Sequence, residues 1–145
     1  MNEICERILH GDKGQFEHDT RPTVVAYGAA NFTVFGKYSG PVEGIRRALR
    51  RRGEDMYLVN EAYTSKLCSS CHLELVPMFD ETGHAIHAVR RCETDQSECK
   101  CRVWHRDVNA CLNIMHLFNQ EFVEGKRRPR VFTFAYQRQQ PQQQH

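Results

Sequence analysis

The chain has 145 residues, a formal net charge of +2, 26% charged residues and 40% hydrophobic residues. Such a length suits one domain, or one with a small appendage, and permits only a modest core. No run approaches the ~18 apolar residues of a membrane span, and a near-neutral balance excludes binding of nucleic acid through bulk charge alone.

Residues 1–21 lean acidic and show weak periodicity, so they predict a loosely ordered start. No apolar run there resembles a signal peptide, which points to an intracellular, reducing setting. The run from Thr23 to Tyr27 is β-branched and apolar and stops at Gly28, which predicts a buried strand. Residues 30–41, with Phe32 and Phe35, predict a loop or short second strand. A helix is predicted over 41–53. Pro41 suits its first turn and Gly53 its end; Val42, Ile45 and Leu49 share one face, and Arg46, Arg47, Arg50 and Arg51 lie mostly on the other. These arginines suit phosphates or a solvated helix face, as do Lys126, Arg127, Arg128 and Arg130. Residues 55–62 form a second short apolar run, a second buried strand, and the strand–helix–strand rhythm favours a parallel pair in a mixed sheet.

Five cysteines then fall within 34 residues: Cys68, Cys71, Cys92, Cys99 and Cys101. Clustered cysteines in a reducing compartment read as metal ligands before disulfides. Zinc takes four soft ligands in a tetrahedron, and a Cys-x-x-Cys turn supplies two from one knuckle. A second pair must return from a hairpin, and Phe79-Asp80-Glu81-Thr82-Gly83 offers its turn. The predicted set is Cys68, Cys71, Cys92 and Cys99, with Cys101 the rival to Cys99. Adjacent-but-one residues on a strand point to opposite faces, so Cys99 and Cys101 do not both suit one ion. A closed thiolate site is structural. Zinc supplies about 10–16 kcal/mol of folding free energy in comparable peptides. His72, His84, His87 and His105 are substitute ligands in principle and read as solvent-facing or packing residues. Cys5 and Cys111 stand apart and read as buried free thiols.

Residues 106–122 predict a strong helix with a core stripe of Val108, Cys111, Leu112, Met115 and Phe122. Asn109, Asn113, His116 and Gln120 repeat on another face. The remainder is basic and then Gln-rich, and predicts no fixed structure. Glu61 ends the second strand and Asp107 opens this helix, and a zinc closure between them would draw the two acids together. Such a pair could hold Mg²⁺ with a substrate phosphate. Spacing equally suits a helix-start acid at Asp107 and a strand-end acid paired with an arginine at Glu61.

Two separated stretches carry a resemblance. Thr64-Ser65-Lys66 leads into Cys68 and Cys71, and Arg106-Asp107 is followed by Asn109, Ala110, Asn113 and Ile114. Together they resemble the C-terminal half of the TnpB-type transposon proteins and their Fanzor relatives. Those are RNA-guided DNA endonucleases whose RuvC-like, RNase H-type fold carries a zinc-ribbon, target-nucleic-acid-binding (TNB) insert shared with miniature type V CRISPR effectors. The resemblance implies an α+β chain: a partial RuvC-like strand–helix–strand over 22–62, a zinc ribbon over 63–103, a RuvC-like helix over 104–122 and a tail over 123–145. Asp107 matches the third RuvC acid. TnpB proteins close the strand equivalent to residues 23–28 with a glutamate, where this chain has Gly28 and Ala29. Fanzor-type relatives carry a glycine there and an alternative glutamate, which Glu61 fits. The first acid belongs to an upstream strand, and Asp12 and Asp19 lack the apolar surroundings such a strand needs.

The resulting expectation is a truncated, zinc-ribbon DNA-binding remnant of a RuvC-like nuclease, inactive as this chain. Lys66, Arg90, Arg91 and Arg106 would contact nucleic acid, with guide RNA a further partner, and a eukaryotic host would imply the nucleus. Two other readings stand beside it. One is an active Mg-dependent endonuclease completed by another chain or an upstream segment; the other is a zinc ribbon used for protein contacts. Phe32, Phe35, Tyr57, Tyr63 and Trp104 suit either base stacking or packing.

Overall fold

The computed structural model describes residues 24–28, 42–94, 99 and 102–133. The expectations for 1–21, for 30–41 with Phe32 and Phe35, for Cys5, for Cys101 and for the Gln-rich end fall outside those residues. The fold is mixed α+β. The chain divides into two compact units, Met1–Leu58 and Val59–His145.

In the first unit, strand β1 (Val24–Gly28) precedes helix α1 (Val42–Arg51) and strand β2 (Asp55–Val59), whose last residue opens the second unit. The two strands pair in a two-stranded sheet. Leu49 is fully buried on α1, whereas Arg47, Arg50 and Arg51 are exposed, as the periodicity predicts. The helix stops where Gly53 turns left-handed at φ +78° and donates its N–H to the Arg50 carbonyl at 3.1 Å. The expectation of buried strands needs correction. Val24 is 45% exposed, and Tyr57 and Leu58 are 39% exposed. Among the described residues each of these strands has one neighbour, so its apolar run is only partly covered, although Val59 at the end of β2 is fully buried.

The second unit is built around a three-stranded antiparallel sheet in the order β3 (Val76–Phe79), β4 (Ala85–Arg91), β5 (Val103–His105). The turn between β3 and β4 lies at the expected place. Asp80 accepts from the backbone N–H groups of Thr82 and His84, both at 2.9 Å, and Gly83 adopts φ +83°. Those donors, led by the Thr82 hydroxyl, hold the Asp80 carboxyl below its ordinary value. The register shifts between Pro77 and Met78, a bulge that bends the hairpin.

Helix α2 (Arg106–Phe118) follows β5 directly and continues into a π-helical turn, Asn119–Val123. Its orientation overturns the predicted stripe. Val108 is 54% exposed, Leu112 42%, Met115 60% and Phe122 46%, and Cys111 is exposed too. The residues it buries are Asn109, Asn113 and Leu117. The reason is a set of hydrogen bonds that apolar side chains cannot make. Residues 61–67 wind as tight turns, leaving the Thr64 and Leu67 carbonyls in need of donors. Asn109 Nδ2 donates to the carbonyls of Thr64 (3.2 Å) and Leu67 (2.8 Å), and Asn113 Nδ2 donates to the same two at 2.8 and 2.7 Å. The Ser69 N–H donates back to Asn109 Oδ1 at 2.8 Å.

The segment after the helix also departs from expectation. Residues 124–133 are not loose, because Phe132 is 1% exposed within a short 3₁₀ turn, Arg130–Phe132. Arg128 donates to the Asn60 carbonyl (2.7 Å), the Phe132 carbonyl (3.1 Å) and Glu121 Oε1 (3.1 Å). It therefore ties the segment after the helix to the backbone beside Glu61 and to the helix extension. Among the described residues, no helix is long and apolar enough to cross a membrane.

The asparagine bonds predict a stability hierarchy. Asn109→Ala removes three bonds and leaves the Ser69 N–H without its acceptor, whereas Asn113→Ala removes two while Asn109 still serves both carbonyls. We expect losses of about 2–4 kcal/mol, larger at Asn109, measured by denaturant unfolding of the zinc-loaded chain.

Candidate metal centre and basic cleft

The first arm of the ribbon is a knuckle made by backbone bonds. Cys68 N–H donates to the Leu73 carbonyl and His72 N–H to the Cys68 carbonyl, both at 2.8 Å, with His72 in the left-handed region at φ 60°. This fold-back leaves Cys68 and Cys71 on one side of a tight turn. The second arm enters where Cys92 N–H donates to the Arg102 carbonyl at 2.7 Å, just past the end of β4.

The sulfurs of Cys68, Cys71, Cys92 and Cys99 all lie within 4.8 Å of one another. Cys68 and Cys99 are 3.5 Å apart, and Cys71 and Cys92 are 3.6 Å apart. Tetrahedral zinc with Zn–S near 2.3 Å sets its sulfurs about 3.8 Å apart, whereas a disulfide needs about 2.05 Å. The donor set therefore fits a zinc ion, and the four cysteines can hold one. Three are buried, and Leu75 and Trp104 pack against them. Trp104 is thus a packing residue of the ribbon rather than a free stacking surface. Cys101, the rival ligand, lies outside the described residues.

The thiols are unequal. Burial pushes Cys68 up to about 12, only partly offset by the N–H groups of Cys71 and Ser70. Burial raises Cys71 as well. Burial also raises Cys92, but the Thr94 hydroxyl, 3.2 Å away, the Thr94 N–H and the Cys71 and Cys99 thiols together outweigh it and bring Cys92 down to about 7. Thr94 is a contributor that sequence reading missed. Of the four histidines, His72 lies tilted against His116 at 4.7 Å and meets Phe132 edge-on at 5.4 Å, a packing role. His84 bonds to Thr82 in the hairpin turn.

Among the described residues, these cysteines are the one group of three or more His, Cys, Asp or Glu placed to hold a metal. Glu61 and Asp107 belong to no such group. Glu61 is half-buried, and desolvation raises its carboxyl above the ordinary value. Asp107 is exposed in the first turn of α2.

Three of the four cations predicted to meet nucleic acid come together. Lys66, Arg90 and Arg106 line one open cleft of about 240 Å³ with Ser65, Glu74, Leu75 and Pro77. Backbone pairing explains it. Leu75 N–H bonds the Lys66 carbonyl at 2.7 Å, Arg90 sits opposite Pro77 on β3 and Trp104 on β5, and Arg106 follows β5 directly. None of the three joins the ion pairs formed among the described residues, nor does Glu74. Arg91 lies outside the cleft lining and pairs with Glu93 at 2.7 Å. Arg128 is engaged with Glu121 and backbone, so it belongs to the fold rather than to a phosphate surface.

Loading the cysteine set with zinc near pH 7 must expel protons from at least Cys68 and Cys71, both raised thiols. Because protons compete with the metal at the raised thiols, apparent zinc affinity should fall as pH falls, and more steeply below about 7, where Cys92 gains a proton as well. Calorimetric titration in buffers of different ionisation enthalpy measures both effects. Cys99→Ser should abolish tight binding, whereas Cys111→Ser, at an exposed thiol, should preserve it.

Residues 42–114 match the model of the family described as Cas12f1-like, TNB domain. The match takes in α1, β2, the knuckle, the hairpin, all four clustered cysteines and α2 through Ile114. No curated protein matches the chain.

Proposed function

The chain belongs to the Cas12f1-like TNB family, and on that premise we propose that it is a zinc-ribbon module that binds DNA, derived from a RuvC-like, RNA-guided endonuclease. The observation that carries this reading is the four-sulfur cluster inside the matched span. The zinc holds the knuckle and the hairpin in register. Lys66, Arg90 and Arg106 then present charge to phosphates from the cleft, and Arg91 contributes from beside it. The RuvC-like character of residues 22–62 and 104–122, and a guide RNA as partner, rest on the resemblance of the Thr64-Ser65-Lys66 and Arg106-Asp107 motifs.

Phosphate contact by three or four cations should make affinity fall steeply with salt. Fluorescence anisotropy of labelled single-stranded DNA, from about 50 to 200 mM salt, should give a log–log slope near −2 to −3. Chelation of zinc should abolish binding together with the folded ribbon. Salt-independent affinity, or none at low salt, would leave the ribbon as a protein-contact module, for which a stable partner in a pull-down would then speak.

Cleavage is a separate reading, carried by Glu61 and Asp107 as metal-holding acids. It predicts nicking of single-stranded DNA in Mg²⁺ that Asp107→Ala and Glu61→Ala both abolish. An inert wild-type chain would sink it while leaving the binding reading intact.

A further inference from the structure

Glu74 is the part of the basic cleft that phosphate binding does not use. It lines the same cleft as Lys66, Arg90 and Arg106, yet forms no ion pair with any of them. Where an acid and a cation of the described residues do pair, they lie within reach of each other on neighbouring backbone, as Arg91 does with Glu93 and Lys126 with Glu124. Here three cations and an exposed carboxylate share a small space without pairing. The carboxylate therefore stays available to a ligand.

We propose that the cleft seats one unpaired nucleotide of a DNA strand, with its phosphate on Lys66, Arg90 and Arg106 and an amino group of its base on Glu74. The inference rests on the nucleic-acid reading above and adds base preference to it. An ionised carboxylate only accepts hydrogen bonds. It repels a phosphate or a keto oxygen and takes an exocyclic amino group, as glutamate does from cytosine N4. Thymine offers no such group. Ser65 adds a hydroxyl to the lining, and Leu75 and Pro77 add apolar surface for the base or sugar.

Size supports a partial ligand. The cleft's 240 Å³ falls below the roughly 300–1,000 Å³ that encloses a whole small molecule. An open cleft of that size holds one piece of a longer chain. In a duplex the phosphate lies on the rim and the base edge inside the groove, so one small cleft reaches both only on an unpaired strand.

The test compares 5′-labelled oligo-dC and oligo-dT of about 12 nucleotides, within the usual single-strand site size, on the zinc-loaded full chain. Wild type should bind oligo-dC about three- to tenfold tighter than oligo-dT. Glu74→Gln, at an exposed position, should bring the ratio toward one, mainly by a gain on oligo-dT, because the amide can donate to thymine. Glu81→Gln, an equal charge change on the exposed hairpin turn, should keep the wild-type ratio. Lys66→Ala, Arg90→Ala and Arg106→Ala should weaken both oligonucleotides alike and flatten the salt slope. Zinc content is read for every variant. Equal affinities in wild type, or a ratio that Glu74→Gln leaves unchanged, overturns the proposal while the binding reading survives. No binding of either oligonucleotide overturns both.

Discussion

Two asparagine amides hold this molecule's functional half together. Each amide nitrogen has two donors and each backbone carbonyl two lone pairs. Asn109 and Asn113 spend all four donors on the carbonyls of Thr64 and Leu67, filling both lone pairs of each, while the buried Asn113 Oδ1 accepts no bond. Both asparagines are fully buried, and Thr64 nearly so. At low local dielectric such bonds are strong when complete and costly when broken. The knuckle bearing Cys68 and Cys71 hangs directly from this clamp, through Leu67 and through the Ser69 N–H on Asn109. The metal site and the cleft inherit their geometry from it.

This clamp gives a physical reading to the two motifs that carry the family resemblance. Thr64 from the first and Asn109 and Asn113 from the second meet in the fold. Spacing suggested that the motifs converge through zinc, with the acids as the purpose of the convergence. The structure adds a second cause, a direct amide-to-carbonyl lock that needs no ion.

Much of the second unit was legible from residues alone. The knuckle, the turn at Asp80 and the return of Cys92 and Cys99 to the knuckle rest on residue types with few structural uses. The faces of α2 were not legible. Apolar periodicity usually marks the buried side of a helix, and Val108, Leu112 and Met115 obey it in sequence while pointing outward in the fold. The deciding term was the hydrogen-bond demand of a turn some forty residues away, which no local pattern displays. One signal was present: two asparagines four apart, in a helix where that residue type is a poor choice. The ordering of residues 124–133 was hidden for a similar reason. Arginine clusters read as solvated charge, and only the fold reveals that Arg128 bridges Asn60, Glu121 and Phe132.

The clamp also fixes what counts as the portable unit. A ribbon trimmed to its four sulfurs, from Lys66 to Arg102, would carry every metal donor and none of the amides that hold its first turn. Any graft of this element into another scaffold must bring α2 along, so the helix and the ribbon are inherited, exchanged or lost as a single piece.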